Sequence, residues 1–193
     1  MTPEEIVAFW LEEIGPSGWY KSDESLDTQI RDRFLATWQD ASEGAHGFWL
    51  SSATGGLAYL ILTDQFPRNM FRGSGDAFAT DKSAVAVAYE AIEKGWDMMV
   101  PEPERQFFYM PMMHSEDLGD QDACVSFMTE RLVGAASDNL RHARAHRHII
   151  RQFGRFPYRN AALGRENTPA EDEWVKNDGY PAALRAVDEN SLL

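Results

Sequence analysis

The chain has 193 residues, enough for one domain with a full hydrophobic core and no covalent staples. Apolar residues make up 44% and aromatics 12%, which excludes a disordered chain, and the single cysteine, Cys124, excludes an internal disulfide or a cysteine cage for zinc. A formal net charge of -13 argues against broad binding to nucleic acid or an anionic membrane, because most of the surface would repel phosphate.

The N-terminus, Met1-Thr2-Pro3-Glu4-Glu5, lacks a basic region and a signal-peptide core. The apolar run 57–62 is far below the ~20 residues that a bilayer span needs. A soluble, cytoplasmic protein with no membrane association is expected.

In chain order, Thr2-Pro3-Glu4-Glu5 reads as a capping box that opens a helix to about Ile14, where Gly15-Pro16 stops it. Leu26, Ile30, Phe34 and Trp38 recur every four residues along one stripe of a second helix. Gly55-Gly56 leads into the third, which is apolar nearly all round and should be the buried centre. Thr80 caps a fourth helix closed by Gly95, and a fifth runs from about Glu102 to Met110. Ser115 can cap a sixth that reaches about Ala136, with Cys124 in its middle as a buried small hydrophobe. Ser137 or Asp138 starts a seventh that ends at Gly154. Thr168-Pro169-Ala170-Glu171 is a second capping box, opening a short eighth. No stretch alternates with period two, so the fold class is all-α, an antiparallel array of about eight helices in a single domain, 1–193. Its body is 3–177, and 178–193 is a tail that either docks or stays mobile.

Residues 139–165 hold seven arginines and three histidines with no aspartate or glutamate, leaving 11 basic against 31 acidic side chains elsewhere. Such a run must find negative charge in the protein's own acidic helices, in a bound anion or in a partner.

Three helix ends look alike: Asp64-Gln65-Phe66-Pro67-Arg68-Asn69, Met110-Pro111-Met112-Met113-His114-Ser115-Glu116-Asp117, and Arg155-Phe156-Pro157-Tyr158-Arg159-Asn160 with Gly164-Arg165 beyond. In each, a proline disfavours helical geometry in the residue before it, and polar groups follow. In an up-and-down array, helices three, five and seven run the same way, which would bring the three corners to one end.

With Leu62-Thr63 before the first corner and Phe153-Gly154 before the third, these motifs resemble a bacterial family known as domain of unknown function nine-two-four, over about residues 3–175. The resemblance implies an all-helical fold with tetratricopeptide-repeat-like packing and no established activity. The usual 34-residue repeat pattern is absent from the sequence. The resemblance also implies histidine after Phe156-Pro157, where this chain has Tyr158.

The preferred reading is a protein that binds a small anionic molecule or acidic peptide. The candidate ligand-binding residues are Asp64, Arg68, Asn69, His114, His146, Arg155, Arg159 and Asn160, with arginines 68, 155 and 159 holding the anion and Asn69 and Asn160 orienting it. The bland alternative has the arginines capping helix C-termini and pairing with Asp64, Glu116 and Asp117. A competing class is a small hydrolase-like enzyme using His114 with Glu116 or Asp117, although Ser115-Glu116-Asp117 also reads as an ordinary helix start. His142 and His146, four apart, could face a metal completed by His114, Glu116 or Asp117, but chance spacing in a histidine-rich helix is the simpler account, so no metal and no cofactor is expected. Nucleic-acid binding through 141–165 ranks last. The methionines at 110, 112 and 113 read as core or as an adaptable surface for a protein partner.

Overall fold

The computed structural model describes residues 1–132 and 136–190. The end of the tail at 191–193, and the side chain of Ser137 as a helix cap, lie outside them. The chain is 73% helical, with no strand among the described residues. It divides into two compact units, Met1–Pro111 and Met112–Leu193.

In the first unit, α1 (Pro3–Ala8) begins at the expected capping box: Thr2 Oγ1 accepts the Glu5 N–H at 3.3 Å and Glu5 Oε2 accepts the Thr2 N–H at 2.6 Å. A π-helical turn, Phe9–Ile14, carries it to Gly15, whose φ of 64° ends the helix. α2 (Glu24–Ser42) starts on Asp23 and buries the predicted stripe, Leu26, Ile30, Phe34 and Trp38.

α3 (Ala53–Leu60) is the buried centre of this unit, packed against α1, α5 (Asp81–Glu93) and two 3-10 turns, Gly47–Ser51 and Glu104–Phe108. Within its first turn Gly55 and Gly56 are buried, and the close packing there depends on their lacking side chains. A Cβ on Gly55 would lie 1.9 Å from the Trp49 carbonyl oxygen, and one on Gly56 would lie 3.0 Å from the Trp96 ring. Phe9, Trp10, Phe34 and Phe66 interlock beside it, with Phe34 and Phe66 centroids 4.6 Å apart. Each fully buried ring contributes about 1.5–3 kcal/mol of apolar burial.

The first corner departs from expectation. The helix does not stop at Pro67. A π-turn, Ile61–Gln65, joins α3 to α4 (Phe66–Met70), and Phe66 keeps helical angles. The Phe66 N–H reaches back five residues to the Ile61 carbonyl. That wider turn makes room for a ring that lacks an N–H, so the proline is absorbed in the first turn of the next segment. Thr80 does precede α5, but its hydroxyl donates to the Thr63 carbonyl at 2.6 Å instead of capping.

The expected fifth helix is in fact the 3-10 turn Glu104–Phe108 followed by α6 (Met110–His114), which runs past Pro111. In the second unit α7 (Leu118–Arg131) is capped by Asp117, not Ser115, and ends short of Ala136, which belongs to α8 (Ala136–Phe153). Asp122, early in α7, pairs with Arg151, late in α8, so the two run antiparallel. Cys124 is buried between its neighbours in α7. Gly154 (φ 67°) ends α8, and Thr168 opens α9 (Pro169–Lys176) with a capping box. The tail forms α10 (Tyr180–Asn190), which docks on α8: Ala183 joins Ala145, Ile149, Ile150 and Phe156 in one core, flanked by Trp174, Leu184 and Val187. No helix of the described residues is long and apolar enough to cross a membrane.

Candidate functional site

The first corner lies in the first unit and ties its helices together. Asp64 is 1% exposed and accepts from the Gln65 amide at 2.6 Å. Arg68 donates to the Asp64 carbonyl at 2.6 Å, pairs with the Asp64 carboxylate at 3.5 Å and grips Asp81 on α5 at 3.1 and 3.2 Å. Asn69 donates to Asp27 of α2 at 2.8 Å, and Arg72 closes on both oxygens of that carboxylate, each at 2.8 Å. Burial opposes ionisation of Asp27, but the Arg72 guanidinium and the Asn69 amide outweigh it and hold the carboxyl below its ordinary range. The motif from Thr63 to Arg72 is thus a junction of α2, α4 and α5.

The second and third corners meet in the second unit. Glu116 accepts the Phe156 N–H at 2.8 Å, and Arg165 takes both its carboxylate oxygens at 2.7 and 2.9 Å. Burial would raise the Glu116 carboxyl, but Arg165 and that N–H prevail and lower it. Asn160 is 1% exposed and fully employed: its oxygen accepts from Arg165 Nε at 2.9 Å and its amide donates to Asn167 at 2.7 Å. Asp117 accepts the N–H groups of Gly119 and Asp120, as an N-cap does. Both carboxylates of the enzyme reading therefore have structural employment.

Arg155 lies apart from that pairing. It donates to both oxygens of Glu171 at 2.6 and 2.7 Å and to the Glu166 carbonyl at 2.9 Å. Its guanidinium holds the nearly buried Glu171 carboxyl down to about 2. Together they wall an open depression of about 590 Å³ with Gln152, Phe153, Thr168 and Ala170. The arginine-rich run mostly finds its counter-charge inside the unit: Arg141 pairs with Asp188, and Arg147 and Arg151 share Asp122.

Three more of the predicted residues, His114, His146 and Arg159, adjoin one another in this unit. Arg159, 6% exposed, lies over the Phe156 ring at 4.4 Å and donates to the His114 carbonyl at 3.0 Å. The His114 and His146 rings meet edge-on with centroids 6.3 Å apart. Desolvation, reinforced by His114 and the Arg159 guanidinium, pushes the His146 imidazole down to about 3, so it is neutral at physiological pH. Tyr158, where the family resemblance implies histidine, is 44% exposed and stacks on Phe156, edge-on to Tyr180. Among the described residues no group of three His, Cys, Asp or Glu side chains is placed to hold a metal ion.

Tyr180 is the residue that sequence reasoning missed. Its hydroxyl lies 2.6 Å from His142 Nδ1 and 3.2 Å from His146 Nδ1, and burial pushes its ionisation up. The only sequence signal is the turn-like Asp178-Gly179 before it, which marks a turn and not a contact.

A solved structure of a protein of unknown function from Agrobacterium tumefaciens is 40% identical to this chain, with a TM-score of 0.84 over 91% of this chain and 97% of that one. No curated protein matches the chain. The family model of a bacterial protein of unknown function, DUF924, matches residues 6–179, so it takes in both units and all three corner motifs, and the chain belongs to that family.

Proposed function

We propose that this is a cytoplasmic binding protein whose second unit holds a small oxyanion at the corner formed by His114, His146 and Arg159. The observation that carries the reading is the convergence of three basic side chains, with the His114 and His146 rings 6.3 Å apart and Arg159 donating to the His114 carbonyl at 3.0 Å. Burial first, with His114 and Arg159 beside it, holds the His146 imidazole down to about 3, so it meets a ligand as a neutral ring. Tyr158 and Phe156 add an aromatic wall to the same corner. Arg68, Asn69, Arg155 and Asn160 are left out of the ligand set, because Arg68 and Asn69 lie in the first unit and Arg155 and Asn160 hold Glu171 and Asn167.

The experiment is a thermal-shift series of the purified protein with phosphate, malate and citrate. A ligand that binds only the native state raises the melting temperature with concentration. The reading expects a rise that His114→Gln reduces, with the unliganded melting temperature of that variant near wild type. No rise with any of the three anions refutes it.

A further inference from the structure

The end of α8 and the start of α9 border the open depression of about 590 Å³, within the roughly 300–1,000 Å³ usual for small-molecule sites. Its charges are already matched. Arg155 closes on both Glu171 oxygens with Nε and Nη2, and Nη2 also takes the Glu166 carbonyl. The Thr168 N–H is a third donor to that carboxylate, at 2.7 Å. Glu171 is 2% exposed and stays ionised beside Arg155, so the pair is neutral as a unit.

Hydrogen-bonding capacity is left over. Among the described residues Arg155 Nη1 takes no partner, so two N–H donors remain on that nitrogen. The Gln152 side-chain amide, exposed in the last turn of α8, takes none either and offers an acceptor beside a donor. Phe153 supplies an apolar wall, its ring met edge-on by Trp174 with centroids 5.4 Å apart.

These groups discriminate between ligand chemistries. A carboxylate or phosphate would come up against the Glu171 carboxylate, beside a guanidinium whose charge is already offset. A cation would find both Glu171 oxygens occupied and Arg155 next to them. A purely apolar molecule would strip water from Arg155 Nη1 and Gln152 and return no hydrogen bond. A neutral group with an acceptor next to an N–H satisfies both, and a carboxamide is a small group that has the two together.

We propose that this depression binds a small neutral molecule in which a flat apolar ring carries a carboxamide. Arg155 Nη1 donates to the amide oxygen, Gln152 Oε1 accepts the amide N–H, and the ring lies against Phe153. The site shares no residue with the corner of His114, His146 and Arg159 and stands independently of the oxyanion reading.

A ¹H–¹⁵N NMR titration of the full chain with benzamide, nicotinamide and benzoate tests it. Both amides are expected to bind saturably, and benzoate about tenfold or more weakly, because it exchanges a satisfied N–H for a charge like that of Glu171. The Gln152 side-chain amide and the Ala170 backbone signal should shift with the same affinity. Gln152→Ala should weaken benzamide about tenfold, the effect of one lost hydrogen bond. Ala170→Trp, at an exposed position of the wall, should fill the depression and abolish binding. Native circular dichroism is expected in both variants. Benzoate binding as tightly as benzamide overturns the neutral-ligand assignment. Benzamide binding unaltered in both variants, or no saturable shift with either amide, overturns the site itself.

Discussion

Arg165 and Glu116, 49 residues apart in sequence, form a two-point ion pair that joins the second corner to the third, with Nη1 to Oε2 at 2.7 Å and Nη2 to Oε1 at 2.9 Å. Glu116 also takes the Phe156 N–H, so one carboxylate fixes both the arginine and the backbone before Pro157. Glu116→Gln should destabilise the second unit by about 2 kcal/mol, the usual scale for hydrogen bonds to a charged group. Urea denaturation measures it. Unchanged stability, with loss of some turnover instead, would return Glu116 to the catalytic role that its pairing denies.

Acid should weaken the protein in two stages. His146 has a folded value of about 3, below the ordinary 6.5, so the unfolded chain binds more protons between these values. The stability present above pH 6.5 is therefore lost as pH falls from 6.5 toward 3. Glu171 is lowered from 4.5 to about 2, so its contribution is full above 4.5 and disappears from there downward. Of these two groups only His146 acts between pH 6.5 and 4.5, with a slope of at most about 1.4 kcal/mol per pH unit. Denaturation at several pH values should show that slope in the wild type and a flatter one in His146→Gln. Equal slopes in the two proteins would mean that His146 titrates normally.

Tyr180→Phe removes the hydroxyl that lies 2.6 Å from His142 Nδ1 and 3.2 Å from His146 Nδ1, and leaves the ring in place. It should cost about 1–2 kcal/mol, the net worth of one short and one longer hydrogen bond. The α10 helix should stay docked through Ala183 and the Arg141–Asp188 pair, with unchanged helical circular dichroism. Proteolytic release of residues after 178 in the variant, but not in the wild type, would show instead that the hydroxyl holds the helix.

Gly55→Ala places a methyl 1.9 Å from the Trp49 carbonyl oxygen, in backbone that cannot rotate aside. A loss of about 1–3 kcal/mol is expected, the range for overpacking. Gly47→Ala meets nothing within 4 Å and serves as the comparison, with a change within about 0.5 kcal/mol. Thermal melts of the two variants should separate clearly.

Helix identity was legible in the sequence wherever apolar spacing and caps agreed. The stripe from Leu26 to Trp38 and both Thr-Pro-x-Glu boxes form as read. Proline was the weaker guide. Pro157 does follow an extended residue, Phe156, but Pro67 sits within a continuous helical path because the π-turn before it widens the backbone. No local pattern announces such a turn, which depends on what packs around Leu62 and Thr63.

At the candidate site, residue types were legible and pairings were not. His114, His146 and Arg159 were named from sequence and do adjoin, whereas Arg68, Arg155 and Asn160 take partners on Asp81, Glu171 and Asn167. Those partners lie 7 to 16 residues away with no periodic relation, so only the folded backbone selects them. Tyr180 carries no such signal, because its contacts with His142 and His146 exist only once α10 docks against α8.

An oxyanion bound beside His114 and His146 would be felt by both rings. A histidine side-chain NMR titration of the wild-type protein with phosphate tests it most directly. Saturable shifts of the His114 and His146 ring signals with one common affinity are expected, while His46, in the first unit, stays unmoved as an internal reference. Phosphate that leaves His114 and His146 unshifted, or moves all five histidines alike and without saturation, would contradict it.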